Sequence, residues 1–130
     1  MGDGAPLPYR SARTQDCVRS RLREPVAYHL ILVADLDGQT DNAPVRPHSL
    51  AVEGFVHLTH RMDDLIDVAN ALYREEPGPH VVLTINLDRL SAPWRYDGDD
   101  RFPHVYGPLD RDAVTSVDAI SRGPDGAFLA

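Results

Sequence analysis

The chain has 130 residues and a formal net charge of −7. That is enough for one domain around one core, and too acidic for a phosphate backbone to be a favoured partner. All 13 basic residues are arginine, which excludes lysine Schiff-base chemistry and a Walker-type phosphate lysine, and the single Cys17 excludes an internal disulfide and a cysteine-rich zinc site.

Residues 1–24 contain Arg10, Arg13, Arg19, Arg21 and Arg23 and little apolar periodicity, so they are expected to form a flexible, arginine-rich tail. They lack the apolar stretch of a secretory signal. No run in the chain approaches the roughly 18 apolar residues of a membrane span, and a cytoplasmic protein with no membrane partner is expected. A single folded domain is expected over residues 25–122, with 123–130 a loose tail.

VAYHLILVA at 26–34 predicts a central strand buried on both faces. Residues 35–49 are dense in turn formers and predict a long connection. GFVHLT at 54–59 predicts a short strand with Phe55, His57 and Thr59 on one face. Met62, Leu65, Ile66, Ala69, Leu72 and Tyr73 recur at three- and four-residue spacing and predict the main helix within 61–76. Thr59 or His60 is expected to start it, Asp63 and Asp64 suit its positive end, and the prolines at 77 and 79 stop it. HVVLTINLD at 80–88 predicts a second strong strand, followed by shorter ones near 94–97 and 113–121. Strands, one main helix and then mostly strands define an α+β class.

FPHVYGPL at 102–109 is a rigid mount for a polar pair. Pro103 and Pro108 stiffen its ends, and an extended backbone between them turns His104 and Tyr106 to one side. With His29 and His57, His104 makes three strand histidines, a residue type that serves as acid, base, hydrogen-bond donor or metal ligand. His29 reads either as a hydrogen-bonded core residue or as a pocket residue. The spacing of His57 and His60 is not the HExxH helical pattern, and no metal is expected. Ser49 lacks the GxSxG elbow and Cys17 lies in the tail, so no covalent nucleophile is expected. Asp97 reads as a turn residue of DGDD or as a site carboxylate. Neither GxGxxG nor GxxxxGK[ST] occurs.

Tyr28-His29-Leu30, Ser49-Leu50, Glu53-Gly54-Phe55-Val56-His57 and Phe102 to Leu109 together resemble, in order, the motifs of the domain-of-unknown-function 952 family of small bacterial proteins. The resemblance covers about residues 26–120. Here Leu58-Thr59 stands where many members have Cys-Ser, Val45 where a tyrosine is common, and Asp97 where a glutamate is common. The resemblance implies an ADP-ribosyltransferase-like split β-sandwich with one main helix, and a distant relation to RNA 2′-phosphotransferases through His57-Leu58-Thr59. It implies a cleft for NAD, with His29, Ser49, His57 and Thr59 binding the cofactor. His104, Tyr106 and Asp97 would be the catalytic group, and the reaction glycosyl transfer from NAD or its hydrolysis. The alternatives are a non-catalytic nucleotide- or metabolite-binding domain, and a cofactor-independent tailoring or isomerising enzyme. All three take a small-molecule or nucleotide ligand.

Overall fold

The computed structural model describes residues 25–129, and the arginine-rich segment at 1–24 lies outside them. The chain opens with strand β1 (Val26–Leu32), which runs directly into a short helix α1 (Val33–Asp37). After the connection come α2 (His48–Glu53), β2 (Val56–His57), the eleven-residue helix α3 (Met62–Leu72) and β3 (His80–Asn86). The strands β4 (Trp94–Tyr96), β5 (Pro103–Val105), β6 (Val114–Ala119), β7 (Ser121–Arg122) and β8 (Phe128–Leu129) complete the order.

Three antiparallel sheets result, with orders β1-β3-β6, β2-β5-β4 and β7-β8. The strong central strand of the first sheet is therefore β3, and β1 lies at its edge, a correction to the central placement expected for VAYHLILVA. Ala27 and Ile31 of β1 and Leu83 and Ile85 of β3 pack with Val56, Leu58, Val105 and Leu109 into the larger core, between the two main sheets. Leu30 and Val82 pack with Leu65 and Ala69 of α3 and with Phe128 into the smaller core. Alternation along β1 thus feeds both cores.

The connection at 35–49 is ordered by side chains. Gln39 exchanges two hydrogen bonds with the backbone of Arg46, at 2.7 and 2.9 Å. Arg111 donates to the carbonyls of Ala43 and Thr40. Asp35 accepts from the backbone N–H of His48 at 2.9 Å, satisfying an otherwise free donor at the start of α2. At the other end Gly54 takes a left-handed φ of 86° and returns its N–H to Leu50, a conformation that favours glycine.

The main helix begins after Arg61 rather than at Thr59 or His60, and Asp63 and Asp64 fall in its first turn as expected. Residues 123–130, expected to be a loose tail, instead carry β8. Phe128 is buried in the smaller core, and the Asn70 side chain bonds both its N–H (2.7 Å) and its C=O (3.2 Å) in the manner of a neighbouring strand. Arg122 donates to the carbonyls of Arg74, Glu76, Gly78 and Gly126, and its guanidinium lies 4.3 Å from the Phe128 ring. One buried aromatic and a hairpin turn carry this segment, too short a pattern for periodicity to reveal. No described helix is long and apolar enough to cross a membrane.

Candidate functional site

Among the described residues, one pair, Tyr28 and Thr59, joins the two main sheets by backbone hydrogen bonds, at 2.7 and 2.9 Å. On either side of this bridge the strands part, and carbonyls that a ladder would have satisfied need other donors. Two histidines supply them. His60 Nδ1 meets the carbonyl of Val26 at 2.8 Å, and His29 Nδ1 meets the carbonyl of His57 at 3.0 Å. A carbonyl only accepts, so each ring carries its proton on Nδ1. The Nε2 of His60 then accepts from the Tyr96 hydroxyl at 2.7 Å.

His29 is buried, and burial pushes its pKa from 6.5 down to about 4 against the opposing effect of the bond to His57. The ring is neutral at pH 7, with Nε2 a lone-pair acceptor. It lines a pocket with Ser49 of α2, His57 of β2, and Leu65, Val68, Ala69 and Tyr73 from the α3 region. The Ser49 hydroxyl is buried and has no hydrogen-bond partner. The Thr59 hydroxyl is also buried without a partner, but Thr59 is absent from the pocket wall, and its backbone forms the bridge. His29 is therefore both of the things its sequence context allowed, a satisfied strand residue at Nδ1 and a pocket residue on the same ring.

The second part of the site lies across His57. In the register of β2, β5 and β4, His57 stands opposite His104 and His104 opposite Arg95. The His57 and His104 rings are 5.3 Å apart. Phe55 stacks on His104 at 4.2 Å and Phe102 on His57 at 5.0 Å. Asp97 gathers the outer end. Its carboxylate accepts from Arg95 Nε at 2.7 Å, from His104 Nδ1 at 2.9 Å and from the Tyr106 hydroxyl. The bonds from Tyr106 and then Arg95 hold its pKa down to about 2, and Asp97 in turn raises that of Tyr106. Burial, and then the neighbouring His104, lowers the His57 pKa, while Glu53 opposes that shift.

The structure therefore groups His29, Ser49 and His57 at the pocket, and His104, Tyr106 and Asp97 on the far side of His57. Arg95, Phe55 and Phe102 belong to the same constellation and were not singled out from sequence. The alternation of Arg95 with Asp97 was the available signal, but it means nothing until the register of β4 on β5 is known. No group of three or more metal-capable side chains occurs among the described residues.

A small α+β domain whose two sheets part at a histidine-lined pocket is the class that fold and site define. The chain belongs to the family described as "Protein of unknown function (DUF952)", whose family model matches residues 32–117. The fold is shared with two crystal structures of protein CC0527 from Caulobacter crescentus, one of them a double mutant. They are 21% and 22% identical, with TM-scores of 0.68 and 0.65, each match covering 80% of this chain and 93% of that one. At this identity the likeness bears on the fold alone. No curated protein matches the chain.

Proposed function

We propose that the pocket receives the carboxamide of a nicotinamide-type ligand and that the domain acts on NAD, by glycosyl transfer or hydrolysis, on an ADP-ribosyltransferase-like fold. The observation that carries this reading is the pairing of an acceptor with an orphan hydroxyl. Neutral His29 has Nε2 as an acceptor, and Ser49, whose buried hydroxyl has no partner, lines the same pocket. A primary carboxamide donates through nitrogen and accepts through oxygen, and so carries the complement of both; the pocket is small, and entry requires it to widen. The parting of the sheets beyond Tyr28 and Thr59 supports the split-sandwich assignment. His104, oriented by Asp97, is the candidate acid or base.

One observation favours a second reading, a nucleotide- or metabolite-binding domain without turnover. Both Asp97 oxygens are engaged, by Arg95, His104 and Tyr106, which leaves this carboxylate no free oxygen for a developing cationic sugar.

Thermal unfolding with and without NAD tests the binding step. Ligand at ten times its dissociation constant adds about 1.4 kcal/mol, several degrees for a domain of this size. The shift is expected to vanish in His29→Ala and to shrink in Ser49→Ala. No shift at millimolar NAD ends the NAD reading. Binding with no release of nicotinamide leaves the second reading in place of the first.

A further inference from the structure

The face of the second sheet turned away from the larger core carries a row of three side chains that the pocket reading does not use fully. Arg95, His104 and His57 stand opposite one another on adjacent strands, where Cβ atoms lie about 5 Å apart. One face of each ring around them is taken. Phe55 covers His104, Phe102 covers His57, Arg101 lies over Phe102, and Arg95 lies over Tyr106. A stacked base thus meets rings already covered on one face, and the unpaired nitrogens lie at ring edges. Among the described residues no hydrogen bond reaches either His57 ring nitrogen or Nε2 of His104.

We propose that Arg95, His104 and His57 form a subsite for a phosphate-type oxyanion. With His104 Nδ1 held by Asp97, protonated His104 keeps one unpaired donor at Nε2 and protonated His57 keeps two, and such donors beside a guanidinium suit an anion with several oxygens. Two neighbouring imidazolium rings repel each other, and an anion shared between them removes that repulsion. The surrounding charges leave room for it. Asp97 pairs with Arg95 and also accepts from His104, and Asp99 and Asp64 engage Arg101. Glu53 acts on His57 from the end of α2, and buried His29 faces it from β1. Because burial and His104 disfavour the His57 cation, the subsite fills only as pH falls below the ordinary imidazole range. This inference is independent of the nicotinamide reading, since neither His29 nor Ser49 belongs to the row.

The test is NMR of the histidine ring signals in the full chain, titrated with inorganic phosphate and pyrophosphate at pH 6 and pH 8, with sodium chloride at matched ionic strength as the reference. A saturable shift of the His57 and His104 signals is expected, with His80 unmoved and affinity weaker by roughly tenfold or more at pH 8. His104→Gln and Arg95→Gln are each expected to weaken phosphate binding. Arg95 is exposed, so its variant reports on binding even where a histidine variant does not fold. Equal shifts with chloride, no saturation, or wild-type phosphate affinity in both variants overturns the subsite. Phosphate binding with no response to NAD overturns the pocket reading alone, and NAD binding through His29 with no response to phosphate overturns this one alone.

Discussion

His29 donates from Nδ1 to the carbonyl of His57 at 3.0 Å, at the position where backbone pairing between the two sheets has stopped. The same ring must stay neutral to remain buried. Its folded pKa of about 4 lies below the 6.5 of a free imidazole, so the unfolded chain binds the proton more readily. The stability His29 contributes is complete above pH 6.5 and is lost as pH falls from there towards 4. The shift corresponds to about 3 kcal/mol. Urea unfolding between pH 7.5 and 4.5 is expected to show this loss, and His29→Gln should remove the larger part of the slope. An equally steep slope in the variant would show that other groups carry it.

Ser49→Ala separates stability from binding. The hydroxyl is buried without a partner, so removing it relieves an unmet polar group, and the variant is expected to match or exceed the wild type by up to about 1 kcal/mol. Ligand affinity is expected to fall in the same protein. A clear loss of stability would mean the hydroxyl has a structural partner, and the pocket reading would lose its main support.

Asp97→Asn is expected to release a constellation rather than weaken the fold. Asp97 raises the Tyr106 pKa, so Tyr106 should titrate above the usual phenol range in the wild type and closer to it in the variant, as followed by NMR of labelled tyrosine. If the domain turns over NAD, the variant should lose at least about tenfold in rate, the scale of a misdirected acid or base. An unchanged Tyr106 titration would contradict the observed contact.

Asn70→Ala tests the C-terminal segment. Two hydrogen bonds to Phe128 disappear, and a partner N–H is left unpaired, at a cost of about 1–3 kcal/mol. Phe128→Ala should cost about 3–5 kcal/mol through lost burial. Denaturant midpoints for both variants, compared with a chain ending at Arg122, are expected to fall together. A truncated chain as stable as the wild type would return these residues to the status of a tail.

Periodicity revealed the elements that bury a whole face. The helix from Met62 and the strand from His80 stand close to where spacing placed them, and FPHVYGPL does hold His104 and Tyr106 beside each other on Asp97. What escaped was set by distant partners. The start of α2 is satisfied by Asp35, thirteen residues earlier, and Phe128 is held by Asn70 across 58 residues. Neither leaves a local pattern. The edge position of β1 was equally hidden, because an apolar run reports burial and not which strands pair. Within the site, residue types were legible but their division of labour was not. Thr59 reads as a hydroxyl ligand in sequence, yet its backbone carries the sheet junction, and Arg95 acquires meaning only through register.

The junction itself has a mechanical meaning. Two backbone hydrogen bonds at Tyr28 and Thr59, flanked by the imidazoles of His60 and His29, act as a line of pins between two sheets that otherwise meet through packed side chains. One of the pins, His29, also lines the pocket. A ligand that bonded this ring would therefore engage a side chain that also ties the two sheets together.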